Sequence, residues 1–246
     1  MKGIDVSTWQ KDIDWKKAKN NIDFAIIRLG WVGNTECKLD TYFNKNYNEC
    51  KKLGIPVGVY VYNYVKTPQR AAKCAKWVLE QLEGKSLELP VYIDMEDGSL
   101  LRLGKNILTD ICIAFNTEIE DEFWAGVYAN RNWFDNYLHK DIIKKKYTTW
   151  IAHYGVSENK YKNEYDMLQY TSAGKVQGIN GKVDMDVMYR DLIADITGHH
   201  KKSIDEIAKE VIAGKWGNGT ERKRRLEEAG YKYSTIQNRV NELLKK

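Results

Sequence analysis

Eight short apolar runs punctuate residues 1–200, and amphipathic stretches separate them. Strand–helix alternation of this kind builds parallel sheets, and eight such strands can close into a barrel. The runs are Gly3–Ser7, Phe24–Gly30, Pro56–Tyr64, Leu89–Glu96, Phe123–Asn130, Thr148–Tyr154, Tyr165–Thr171 and Lys182–Val187. The links between the sixth and seventh runs, and between the seventh and eighth, are too short for full helices. The expected fold class is therefore α/β, an irregular (β/α) barrel with helices missing from its later half. Helices are expected over Tyr42–Leu53, over Leu108–Asp121 and from Pro68 to Leu82. Thr67 suits the cap of the last, Pro68 its first position and Gly84 its stop.

Alternation along the strands sorts side chains by face. In Val91-Tyr92-Ile93-Asp94-Met95-Glu96, an apolar row backs a row ending in two acids. If the apolar row packs on helices, Tyr92, Asp94 and Glu96 point into the barrel. Two carboxyls held close together disfavour each other's ionisation, so one keeps its proton nearer neutral pH. Asp5, beside Ile4 and Val6, and Asp184, beside Val183 and Met185, repeat the pattern at the two chain ends of the barrel. First and last strands of a closed barrel are neighbours. All four acids are expected at one mouth, at the carboxyl ends of the strands. The same alternation turns Tyr60, Tyr62 and Tyr64 inward, along with Tyr128, Trp150 and Gln169. A single Asp at a strand end is more often a turn former than a catalyst. Four acids ringed by aromatics are harder to ascribe to chance, and 16 Tyr and 8 Trp suit a cleft that stacks sugar rings.

Charge divides the chain in two. Residues 1–200 carry 27 Lys/Arg and 27 Asp/Glu, while residues 201–246 carry 12 and 7 and supply the whole net charge of +5. The segment from Ala194 to Lys202, with His199-His200, reads as a linker. After it, Ser203-Ile204-Asp205-Glu206 and Ser234-Thr235-Ile236-Gln237 read as capping boxes, and Thr220 as the cap of a helix between them. The expected layout is a barrel over 1–195, a linker over 196–202 and a three-helix bundle over 203–246, with Trp216, Tyr231 and Tyr233 filling its small core. Cys37, Cys50, Cys74 and Cys112 form no CxxC pair and read as free thiols made in a reducing compartment. No apolar signal run follows Met1, and no stretch of eighteen apolar residues occurs. These features predict synthesis in a reducing cytoplasm and no membrane partner.

Asp5-Val6-Ser7 with Gln10 and Trp15, Ile93-Asp94-Met95-Glu96, Trp150-Ile151-Ala152, Gln169-Tyr170-Thr171-Ser172 and Val183-Asp184 together resemble the glycoside hydrolase family 25 muramidases. Those are phage and bacterial lysozymes that cut peptidoglycan between N-acetylmuramic acid and N-acetylglucosamine. The tail, with Ala213-Gly214-Lys215-Trp216-Gly217-Asn218-Gly219, Arg222, Tyr231, Tyr233 and Gln237, resembles the short cell-wall-binding repeat of certain streptococcal phage lysozymes. The resemblance implies Glu96 as general acid, Asp94 as the acid that tunes it and holds substrate, and Asp5 and Asp184 as the remaining acids of the cleft. It implies retention of configuration, by a carboxylate nucleophile or by the substrate's own 2-acetamido oxygen. With no evident lone nucleophile, the acetamido route is favoured. Tyr60, Tyr62, Tyr128, Trp150 and Gln169 are the expected substrate contacts, and Trp216, Arg222, Tyr233 and Gln237 the expected wall contacts. No cofactor or metal ligand set is expected.

The implied function is an endolysin that reaches the wall after release from the host, with peptidoglycan as partner and no nucleic acid. One tail repeat gives little avidity, which self-association would restore. Three competing readings are a chitinase-like glycosidase, a non-catalytic wall-binding protein, and hydrolysis assisted by a metal on Asp94, Glu96, Asp184 and Asp186. The cluster Arg222, Lys223, Arg224 and Arg225 is the feature that would favour nucleic acid.

Overall fold

A computed structural model describes residues 1–198, 204–229 and 231–244. By its internal contacts the chain divides into two compact units, Met1–Gly198 and His199–Lys246.

The first unit is built on nine strands, β1 (Lys2–Val6), β2 (Phe24–Val32), β3 (Cys37–Leu39), β4 (Val57–Asn63), β5 (Val91–Asp94), β6 (Ala125–Asn130), β7 (Thr148–Ala152), β8 (Met167–Gly174) and β9 (Val183–Met188). Eight of them match the eight apolar runs of the sequence. The sheet order is β1-β9-β8-β7-β6-β5-β4-β2-β3, and β1 also pairs with β2, which closes an eight-stranded barrel and leaves β3 on its edge. Pairing is parallel from β1 through β2 and β4 to β8. The last strand, β9, runs antiparallel to both its neighbours. A parallel return needs a crossover of a dozen residues or more, and only the eight residues 175–182 separate β8 from β9. The short link thus forces a hairpin and reverses the strand.

Helices Phe43–Leu53, Pro68–Leu82 and Gly104–Ile119 cover the outside, within a residue or a turn of the spans read from sequence. Thr67 Oγ1 accepts from the Arg70 amide, and Pro68 opens that helix as expected. Between β7 and β8, and between β8 and β9, there is no helix. Val57, Val59, Val61, Val91, Ile93 and Met95 pack outward into the strand–helix core. Inside the barrel a second cluster contains Phe24, Ile26, Tyr92, Tyr128, Trp150, Met167 and Met188.

Trp150 is the hub of that interior. It is 1% exposed and meets Tyr60, Tyr92 and Tyr128 at ring-centroid distances of 6.1, 5.3 and 4.4 Å. Room for these rings comes from Gly126, where a Cβ would lie 2.4 Å from Tyr92 ring carbons and from Thr148 Oγ1. Gly126→Ala is therefore expected to cost about 2–3 kcal/mol by overpacking, read as a fall in the denaturation midpoint.

In the second unit, helices Ile204–Ile212, Gly219–Glu228 and Tyr233–Leu244 enclose Ile207, Ala208, Val211, Leu226, Ile236 and Val240. Trp216, Tyr231 and Tyr233 pack against this core. Two caps differ from the sequence expectation. Asn218, not Thr220, occupies the N-cap of the middle helix, and the last helix starts at Tyr233, so Ser234 lies inside it. In each case helical geometry extends outward past the residue best suited to cap it. Ser203, His199 and His200 lie outside the described residues, as does most of the expected 196–202 linker. Helix Leu192–Thr197 occupies the first two positions of that linker. Among the described residues no helix is long and apolar enough to cross a membrane.

Candidate active site

The carboxyl ends of the parallel strands surround a cleft of about 210 Å³ lined by Asp5, Trp9, Arg28, Tyr60, Tyr62, Asp94, Glu96, Tyr128, Trp150, Tyr154, Gln169 and Asp184. All nine candidate catalytic and sugar-contact residues read from the sequence are in that lining. Register explains the convergence. Asp5 pairs with Asp184 across β1 and β9, while Asp94 sits between Tyr62 on β4 and Tyr128 on β6. The reason for Asp184 differs from the one expected. It stands at the amino end of its strand, and reaches the mouth because β9 is reversed. Strand β5 also stops at Asp94, so Glu96 stands on the turn beyond it.

Burial dominates the electrostatics. Asp94 is 2% exposed, and its Oδ1 is enclosed without a hydrogen-bond partner. Loss of water, followed by repulsion from Glu96, raises its carboxyl well above the usual range. Glu96 is raised less, first by burial and then by the charge of Asp184. Burial also raises Asp184. Asp5 is raised well by burial, then by Asp186 and Asp184, against an opposing hydrogen bond from Gln169.

A hydrogen-bonded chain underlies the cleft. Tyr128 and Tyr154 hydroxyls both donate to Gln169 Oε1, at 2.9 and 2.7 Å. Gln169 Nε2 donates to Asp5 Oδ2 at 2.6 Å. Trp150 Nε1 donates to Asp186 Oδ1 at 2.9 Å. Tyr62 donates to Asp97 at 3.3 Å. The orientation of Gln169 thus follows from its two tyrosine donors, which leave its amide N–H for Asp5.

Arg28 is among the residues of this assembly not singled out by sequence, and Asp186 is named there only as a ligand in the metal-assisted reading. Arg28 is the lone charge in the apolar run of β2, a visible signal, and it pairs with Asp40 at 2.7 Å. Asp186 is fully enclosed, with Oδ2 unpartnered. Burial raises its carboxyl well above the ordinary range. A raised carboxyl stabilises the fold fully below its unfolded value, near pH 4, and that stability is lost as pH climbs through the raised value. Asp186→Asn keeps an acceptor for Trp150 and removes the buried titrating carboxyl. It is expected to stabilise the barrel by about 1–3 kcal/mol at pH 8 and much less at pH 4, measured by denaturant titration at both.

A larger concavity, about 460 Å³, opens at the opposite end of the barrel, beside Trp124 and Thr148. Both of its acids are ion-paired, Glu120 with Lys146 and Asp166 with Arg190. It holds no free carboxyl for acid catalysis. Among the described residues, no three His, Cys, Asp or Glu come together as a metal site.

In the tail, Trp216 Nε1 donates to Glu210 at 3.1 Å, and Arg222 donates to the Gly217 carbonyl and Asn218. Tyr233 donates to Gln237 at 3.3 Å.

The barrel and the tail each have counterparts among known proteins. The autolytic lysozyme of Clostridium acetobutylicum is 26% identical over 191 residues, covering 76% of this chain and 55% of that protein. The lysozyme of Streptococcus phage Cp-7 is 27% identical over 230 residues, covering 89% of this chain and 66% of its own length. The chain therefore spans little more than half to two thirds of these relatives. Among solved structures, the modular autolysin LytC from Streptococcus pneumoniae superposes with a TM-score of 0.67 at 29% identity, over 76% of this chain and 46% of LytC. The CTP1L endolysin superposes with a TM-score of 0.65 at 22% identity, over 100% of this chain and 99% of its own, a likeness of fold. The sequence pattern of the CW_7 repeat matches residues 205–244. That of glycosyl hydrolases family 25 matches residues 4–179, and the chain belongs to that family.

Proposed function

We propose that the chain is an N-acetylmuramidase of the endolysin type, hydrolysing the β-1,4 bond between N-acetylmuramic acid and N-acetylglucosamine, with its tail holding the wall. The observation that carries this reading is the paired acid site of Asp94 and Glu96. A rim carboxyl, Glu96, raised by burial and by Asp184, stands beside a buried oxygen of Asp94 that has no protein partner. Such an oxygen suits a donor brought by substrate, and the acetamido N–H is one.

In the proposed reaction Glu96 gives its proton to the glycosidic oxygen as the C1–O bond breaks. The 2-acetamido oxygen closes on C1 from the opposite face. Asp94 accepts from the acetamido N–H, and Tyr62 and Tyr128 orient that group. Water then opens the ring, losing a proton to Glu96, so configuration at C1 is retained. Asp5 and Asp184 hold the floor and wall of the cleft, with Trp150 and Gln169 beneath and Tyr60 beside them.

In the tail, Trp216, Arg222, Tyr233 and Gln237 are proposed to contact wall saccharide. Nucleic acid is disfavoured because the basic cluster is internally paired. Arg224 bonds Glu221 and Glu228, Arg225 bonds Glu221, and Lys223 faces Glu227.

The enzyme is expected to clear purified walls, leave soluble chitin oligomers largely intact, and work in excess chelator. Proton NMR of the earliest product should show the β anomer. Faster turnover of chitin than of walls would favour the chitinase-like reading, and α product would rule out the acetamido route.

A further inference from the structure

Two of the four cysteines touch. Cys37 lies on β3, the edge strand of the sheet, and is half-buried. Cys74 lies on helix Pro68–Leu82 and is buried. The Cys37 thiol donates to Cys74 Sγ at 3.3 Å. Arg70 Nη2 donates to Cys37 Sγ at 3.6 Å, while its Nε is anchored on the Gly33 carbonyl at 2.8 Å. Half-burial leaves Cys37 Sγ within reach of a small solute, whereas Cys74 is enclosed behind it. Burial also pushes the Cys74 thiol up to about 12. The two residues therefore differ as an attacking and a resolving thiol do.

We propose that Cys37 and Cys74 form a dithiol redox site that closes into a disulfide at the expense of a low-molecular-weight disulfide. The Cys37 thiolate attacks one sulfur of the small disulfide, forming a mixed disulfide and releasing one small thiol. Cys74 gives up its proton, attacks the Cys37 sulfur and displaces the second small thiol. Two protein thiols are oxidised and one small disulfide is reduced to two thiols. The sulfurs must close by about 1.3 Å to reach bonding distance, a movement asked of an edge strand hydrogen-bonded on one side only. The bond would tie β3 to a helix 37 positions away in sequence, beside the aromatic rim where Trp31 meets Tyr64 and Tyr64 meets Tyr62. Cys50 and Cys112 are enclosed, and burial pushes both thiols far up. They serve as internal controls.

This site is independent of the hydrolytic reading. The test equilibrates the full chain in glutathione buffers from reducing to oxidising, quenches with acid, alkylates after denaturation and maps peptides by mass. The expected result is a mass lower by two hydrogens, a peptide linking Cys37 to Cys74, and alkylated Cys50 and Cys112. The melting temperature should rise by roughly 5–10 °C on oxidation, as for a loop of this size in a domain of this length. Cys74→Ser should stop at a glutathione adduct on Cys37, with no such rise. Cys37→Ser, at the half-buried position, should give neither adduct nor link while clearing walls at the parental rate. A stable adduct on Cys37 of the parent, a link to Cys50 or Cys112, or four alkylated cysteines under oxidising buffer would each overturn the proposal.

Discussion

Replacing Glu96 with Gln is expected to lower the rate of wall hydrolysis about a thousandfold, within the range that a positioned general acid supplies. Gln matches Glu in shape and can hydrogen-bond Tyr128, but has no proton to give the leaving oxygen. The fold should survive, because Glu96 stands on the turn after β5 and makes no ion pair among the described residues. Removing a group whose charged form is disfavoured by burial should leave stability at pH 7 equal or slightly higher. The pH dependence gives a second reading of the same residue. Burial and Asp184 raise Glu96, so the alkaline limb of activity should lie above the ordinary glutamate range. Asp184→Asn removes the repulsive part and should move that limb to lower pH. Parental clearing by the Gln variant, measured by loss of wall turbidity, would remove Glu96 from the chemistry.

Trp150→Ala is expected to have the largest effect on stability, about 4 kcal/mol, or roughly 10 °C in the melting temperature of the barrel. Three tyrosine rings lose their common neighbour, and the cavity opens directly beneath Asp5 and Gln169. The indole N–H also holds Asp186, whose second oxygen already lacks a partner. Trp150→Phe separates the two contributions. It keeps most of the ring contact and strands the carboxyl, and should cost about 1–3 kcal/mol. Combining it with Asp186→Asn should recover part of that cost, because the stranded carboxyl is then absent. Equal melting temperatures for Trp150→Ala and the parent, by calorimetry, would show that the barrel interior is not organised around this indole.

Much of this was legible in the amino acids because strand alternation is strictly local. Val91, Ile93 and Met95 against Tyr92, Asp94 and Glu96 give the inside and outside of β5 with no knowledge of its neighbours. Eight such runs match the eight strands that close the barrel. The reversal of β9 was implicit in a link too short for a parallel crossover, but alternation alone carries no strand direction. Asp184 reached the mouth all the same, at its strand's amino end. Strand β3 went unseen because three residues, Cys37–Leu39, carry too little pattern. Asp186 was visible as a neighbour of Asp184, yet its importance lies in a bond to Trp150, 36 residues away. Long-range polar pairing leaves no periodic trace. The same holds for Cys37 and Cys74, which approach only when β3 folds against a helix. Helix caps in the tail misled for a different reason. Thr220 and Ser234 are good caps by type, but helix geometry runs past both.

The most direct test of the acid site is mass spectrometry of wall digests reduced with borohydride. Hydrolysis at the proposed bond, with Glu96 protonating the oxygen that leaves N-acetylmuramic acid C1, predicts that every new reduced end is muramitol. Reduced ends carrying glucosaminitol would place the cut at the other glycosidic bond. New termini on peptide alone would contradict glycoside cleavage by this cleft altogether.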